Sequence, residues 1–216
     1  MAQVKIRTYS KEKQLVNERR QQITKGALHL FLKNGYHQTS VRQIVEASGM
    51  SVGSIYHYIG SKEDILYLLI EEGLEKTLSS IRGLQEIADP VEALSKAVDK
   101  WNRSIDEFQD MTVFAYQEMR NLNHEMRTRL QEIDMRAAAI FERILSEGVR
   151  QDKFHVENVK LFAHTMLVLG HMWAFRRWFL RRQYTLEQYI QLQKQLILSA
   201  AGSAKAQEDS TPSKGH

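Results

Sequence analysis

Apolar residues recur at helical spacing along nearly the whole chain, and no stretch of useful length alternates with the two-residue period of a strand. That pattern confines the fold to the all-α class. Only 2 prolines and 11 glycines interrupt 216 residues rich in Leu, Ala, Glu, Arg and Gln, so long helices meet few breaks. Ile23, Ala27, Leu30 and Phe31 mark the inner face of a first helix, which Asn34-Gly35 closes. Ser40 with Gln43 makes a capping box for a second helix, whose inner face is Val41, Ile44 and Val45 and whose end is Ser48-Gly49. Ser51 caps a short third helix that runs through Tyr58. Gly60-Ser61 breaks again, and Ser61 with Asp64 opens a fourth helix running towards Ser80.

The rest of the chain is also helical in pattern. Asp89-Pro90-Val91-Glu92 combines a capping Asp, a first-turn Pro and an acid at the positive helix end, which predicts a helix over about 90–108. Further helices are expected at about 110–121, 124–150, 156–182 and 186–201, about nine in all. The organisation expected is a flexible basic arm (1–17), a three-helix helix-turn-helix domain (18–62), a larger helical ligand-binding and dimerisation domain (63–201) and a disordered tail (202–216).

Charge separates the two ends of the chain. Residues 1–62 carry ten lysines and arginines against three acids, a net +7, while the remainder is net −3. A basic head on a mildly acidic body points to a polyanion as the head's partner. No cysteine is present, which excludes disulfides and thiolate metal sites. His124-Glu125 begins like a zinc-protease helix, but Thr128 stands where the second His belongs. P-loop, nucleophile-elbow and dinucleotide motifs are missing, so neither an enzyme nor a metal or cofactor is expected. No apolar run follows Lys5 and Arg7. Arg176-Arg177 stop the apolar stretch after Leu161 short of the roughly 20 residues of a membrane span, so the expectation is a cytoplasmic protein with no membrane partner.

Residues 41–58 read as helix, tight Gly turn, short helix. This is the helix-turn-helix arrangement, whose second helix enters the major groove of double-stranded DNA. Ser51 would cap that helix. Ser54 and His57 would hydrogen-bond base edges or phosphates, Val52 would touch a thymine methyl, and Gly53 would let the backbone approach. Tyr56 and Lys62 would reach phosphates, with Thr39 and Ser40 on the other side. A buried helical hairpin carries the same pattern, as does an architectural protein that binds DNA without sequence preference.

Residues 20–66 resemble the DNA-binding domain of the TetR family of repressors. The matching strings are Ala27-Leu28-His29-Leu30-Phe31, Asn34-Gly35-Tyr36, Thr39-Ser40-Val41-Arg42-Gln43-Ile44, Ala47-Ser48-Gly49, Gly53-Ser54-Ile55-Tyr56-His57-Tyr58 and Ser61-Lys62-Glu63-Asp64-Ile65-Leu66. Three positions depart from the family pattern: Ile59 for Phe, Gly60 for a bulkier residue or Pro, and Val52 for Lys. The resemblance implies an all-helical homodimer, a divergent C-terminal ligand-binding half and release of a palindromic operator on ligand binding.

Residues 117–127 are similar to the same region of acyl-CoA-responsive, fatty-acid-degradation repressors in that family. A small hydrophobic ligand is expected, either an acyl-CoA or a neutral drug-like inducer. The residues expected to meet it are Phe114, Tyr116, Glu118, Met119, Arg120, Phe141, His164, Val168, His171 and Phe175; a plain core helix explains the same apolar spacing. Arg176, Arg177, Arg181 and Arg182 either cradle an anionic ligand group or complement a helix end. Because one recognition helix buries too little to find an operator, pairs are expected. Helices over about 158–182 and 186–201 should form the four-helix interface, with Trp178, Leu186, Tyr189 and Ile190 as its residues.

Overall fold

The computed structural model describes residues 13–202. The arm expected over 1–17 lies outside the described residues as far as position 12, and its remaining residues, 13–17, are already helical. The tail expected over 202–216 lies outside them from position 203. Among the described residues the chain is all-α, with ten α-helices and two short 3-10 turns. In order these are α1 (Lys13–Asn34), α2 (Val41–Ser48), α3 (Val52–Ile55), α4 (Lys62–Ile81), α5 (Pro90–Glu107), α6 (Gln109–Glu118), α7 (His124–Arg150), α8 (Val159–Phe175), α9 (Arg177–Gln183) and α10 (Leu186–Ala200).

Two compact units make up the described residues: 13–74 with 113–132, and 75–112 with 133–202. The first unit draws its second segment, 113–132, from beyond the boundary expected at 62/63. In the first unit Ile23, Ala27 and Phe31 of α1 are buried with Ile44 and Val45 of α2, Ile55 of α3 and Ile65, Leu66, Leu69 and Ile70 of α4. The capping box at Ser40 is complete, with each partner bonding the other's backbone. Ser61 and Asp64 also bond reciprocally, each side chain accepting the other's backbone N–H at 3.2 Å. Gly49, at φ 65°, ends α2 in the left-handed region that a side chain disfavours.

The second unit is built on α5, which packs against both α8 and α10. Asp89 caps α5 through Val91 N–H, with Pro90 in the first turn. The buried Trp101 indole donates to Leu167 O at 3.2 Å and meets Phe141 edge-on at 6.0 Å. Trp173 of α8 donates to Asp106 at 2.7 Å, and Tyr189 of α10 donates to Leu169 O at 2.9 Å.

The single helix expected over 156–182 is two helices. The backbone turns at Arg176 (φ −109°, ψ 22°), with no Pro or Gly to announce it. Side chains beyond the turn hold the new direction: Arg177 bonds Asp110, Arg181 bonds Asp106 at 2.7 Å, and the Arg176 guanidinium lies 5.0 Å from the Trp178 ring.

Candidate functional site

The turn at Gly49 places Ser51 to cap α3, whose Ser54 N–H donates to Ser51 Oγ at 3.2 Å. α3 proper is one turn long, shorter than the helix expected over 51–58. The segment continues through tighter i to i+3 bonds, His57 N–H to Ser54 O and Tyr58 N–H to Ile55 O. Those bonds satisfy the backbone of a segment too short for α geometry. Ile55 and Ile59 are fully buried and anchor it, so the Phe-to-Ile departure at 59 still supplies a core residue. Ser51, Val52, Gly53, Tyr56 and His57 are exposed and Ser54 is half-buried. A Cβ at Gly53 would meet nothing within 4 Å, so the backbone there is open to close approach.

Two side chains, Arg20 and Asp64, hold this segment in place, and the first is not expected from the sequence. The Arg20 guanidinium of α1, its pKa lowered by burial, donates to Tyr58 O at 3.0 Å. Asp64 accepts Gly60 N–H at 2.7 Å and Ser61 N–H at 3.2 Å. The Arg20 bond and the Asp64 bond to Gly60 leave no sequence signal, because the partners are backbone atoms, whereas the Asp64 bond to Ser61 belongs to the capping box read from the sequence. Gly60, the second departure from the family pattern, is thereby tied at its N–H.

Two of the expected DNA contacts sit differently. Thr39 is 1% exposed, and its hydroxyl donates to Gly35 O at 2.9 Å, with Leu30 O at 3.3 Å. It closes the turn between α1 and α2 and does not present a hydroxyl to a phosphate. The Lys62 ammonium points back onto the same turn and bonds three backbone carbonyls. Ser40 is exposed, but its Oγ serves the cap of α2.

The residues expected to meet a ligand divide between the two units. In the first, Phe114 is buried and stacks on Phe31 at 5.8 Å. Glu118 accepts from Asn121 at 2.5 Å, Met119 is half-buried, and Tyr116 and Arg120 are exposed. In the second, Phe141 and His171 flank Trp101, and Phe175 lies 6.3 Å beyond His171. Burial pushes the His171 pKa down to about 4, so the ring is neutral at neutral pH. Half-buried His164 faces Asp134, whose carboxyl is pushed up by burial and partly drawn back by that histidine. Val168 is exposed on the outer face of α8 and does not join the Trp101 cluster.

An open groove of about 540 Å³ runs along the α9–α10 corner, lined by Asp106, Trp173, Arg181, Arg182, Tyr184 and Leu186. Asp106 is shared by Trp173 and Arg181, and Arg177 is paired with Asp110, so two of the four arginines expected to cradle an anion are ion-paired with aspartates.

Two of the residues expected at a dimer interface belong to the chain's own interior. Tyr189 is buried against Trp173, ring centres 4.8 Å apart, and Ile190 is buried beside it. Leu186 is half-buried, and Trp178 is 60% exposed. Large apolar side chains also face outward from α8 (Leu161, Val168, Met172) and α10 (Leu192, Leu196).

A capped helix, a left-handed Gly turn and a short outward-facing helix on a buried Ile anchor define a helix-turn-helix DNA-binding regulator. Residues 23–69 match the bacterial regulatory proteins of the tetR family, and residues 88–182 match the tetracyclin repressor-like C-terminal domain. The chain is similar to the HTH-type transcriptional regulator HbdR of Aromatoleum sp. (strain CIB), 28% identical over 187 residues covering 86% of this chain and 82% of that protein. It is also similar to the fatty acid metabolism regulator protein of Bacillus subtilis (strain 168), 30% identical over 130 residues covering 60% of this chain and 67% of that one. Among solved structures it resembles the transcriptional regulator FadR from Bacillus subtilis in complex with stearoyl-CoA, at TM-score 0.68 and 25% identity, over 83% of this chain and 98% of that one. The chain belongs to the tetR family. It is a ligand-responsive regulator of the TetR repressor type, and not an enzyme. No helix among the described residues is long and apolar enough to cross a membrane.

Proposed function

We propose that the chain represses transcription by binding a palindromic operator as a homodimer, and that an acyl-CoA thioester releases it. The observation that carries the DNA half is the 51–58 segment, with its Ile anchors inward and Val52, Gly53, Tyr56 and His57 outward. Residues 18–62 do the reading; residues 63–201 hold ligand and partner. Ligand binding favours a dimer whose two recognition segments no longer match successive major grooves.

Tyr56 serves a phosphate and Ser54 and His57 serve base edges. Tyr56→Ala should therefore weaken binding about equally for all sequences. Ser54→Ala and His57→Ala should change sequence preference, by roughly 1–3 kcal/mol at the affected base pair. Binding to a library of duplexes measures both effects. Unchanged binding by all three variants removes the assignment, and uniform binding to every duplex by the unmodified protein makes it an architectural DNA binder instead.

What supports an acyl-CoA is the similarity at 117–127, the name of the Bacillus subtilis relative and the stearoyl-CoA held by the related structure. Within the second unit, Phe141, Trp101, His171 and Phe175 form a cluster of apolar rings with one neutral polar group. Long-chain thioesters should release the operator, free fatty acids should not, and Arg120→Ala should weaken the response. Electrophoretic mobility shift with each compound decides. Equal release by free acids or neutral hydrophobes would replace the thioester with an uncharged inducer.

A further inference from the structure

The ammonium of Lys62 is the least expected feature of the DNA-binding unit. Lys62 opens α4, directly after the recognition segment. Its Nζ reaches back to the turn between α1 and α2 and bonds Tyr36 O at 2.9 Å, Thr39 O at 3.0 Å and His37 O at 3.4 Å. It also lies 4.4 Å from the centre of the Tyr36 ring. A lysine ammonium has three N–H donors, and three carbonyl oxygens take them.

The anchorage is built from both sides. Tyr36 is buried and stands edge-on to Phe31 of α1 at 5.3 Å. The Thr39 hydroxyl fixes the turn from below, and Ser40, the next residue, caps α2. One side chain therefore ties the start of the first helix of the motif to the start of α4. Those two elements flank the recognition segment in sequence. Burial works against the charge, so carbonyls and ring supply the stabilisation that water supplies elsewhere.

We infer that Lys62 is a positioning residue for the recognition segment and makes no phosphate contact. The inference rests on the DNA-binding reading above. An ammonium is a compact head on which three carbonyls can converge. A guanidinium is a planar fork that cannot replace it there, yet it serves a phosphate as well or better. Lys62→Arg thus separates the two roles, and Lys62→Met removes the charge.

The full chain is used to select duplexes from a random library. The affinity of the unmodified protein and both variants for a selected duplex is then measured across salt concentrations, with amide hydrogen exchange on the free proteins. Expected is a loss of about tenfold in affinity for both variants at every salt concentration. The dependence of log affinity on log salt should stay parallel to that of the unmodified protein, and residues 36–41 should exchange faster. A phosphate contact would instead lower the slope of Lys62→Met by about 0.9 per protomer and leave Lys62→Arg at full affinity. That result overturns the inference, as does unchanged affinity in both variants, which would make Lys62 a stabilising group only. If Lys62→Met does not fold, Lys62→Arg decides alone. If the unmodified protein selects no duplex, the DNA-binding reading fails, and the exchange of 36–41 still tests the anchorage by itself.

Discussion

Gly170→Ala should destabilise the second unit by about 3 kcal/mol, at the upper end of what overpacking costs. A Cβ on Gly170 would stand 2.4 Å from both Cδ1 and Nε1 of Trp101. The indole has nowhere to go. It is buried, its N–H is committed to Leu167 O, and Phe141 and His171 flank it. Relief requires α5 and α8 to part, and that contact is the spine of the unit. Urea unfolding measures the loss. Trp101→Phe in the same chain should recover part of it, giving a coupling that two independent destabilisations would lack. Gly53→Ala is the control, since it meets open space and should leave stability within about 0.5 kcal/mol. If Gly170→Ala unfolds with the unmodified protein, the α5–α8 spacing is slack and the Trp101 cluster is not a rigid wall.

The features legible in the sequence are those set by local chemistry. Ser40 with Gln43, Ser61 with Asp64, Ser51 and Asp89-Pro90 each announce a helix start because their partners lie within a few residues. Gly49 announces an end because its backbone conformation is costly for other residues. The pairings that were not legible depend on the tertiary fold. Arg20 reaches Tyr58, and Lys62 reaches the turn at 36–39; both bond carbonyl oxygens, which every residue carries. The bend at Arg176 has the same origin, since Asp106 and Asp110 hold α9 from α5 and α6. Tyr189 and Ile190 share α10 with outward-facing Leu192 and Leu196, and spacing alone does not say which stripe faces the chain's own core.

That outer stripe carries the largest expected effect on DNA binding. Along α8, Leu161 (64% exposed), Val168 (51%) and Met172 repeat at intervals of seven and four, the spacing of one helix face. The opposite side of the same helix is spent on the core, through Ala163, Met166, Leu167 and Ala174. Tyr189 bonds Leu169 O and sets α10 beside it, where Leu192 and Leu196 also face outward. Two adjacent helices with apolar outer faces are the surface proposed to pair with the same helices of a second copy in a four-helix interface. Val168→Glu places a carboxylate midway along the α8 stripe. The desolvation of that unpaired charge, doubled by symmetry, should weaken the dimer by roughly 3 kcal/mol or more. Sedimentation at micromolar concentration should then show a monomer with unchanged helix content by circular dichroism. Operator affinity should fall at least about a hundredfold, because the second half-site no longer benefits from the effective concentration set by the first. Ser146→Glu, on the exposed part of α7, is the matched control for the added charge and should leave both measurements unchanged. A Val168→Glu protein that still sediments as a dimer would place the interface elsewhere on the chain. Retention of palindrome binding by a true monomer would instead mean that each DNA-binding unit finds its half-site alone.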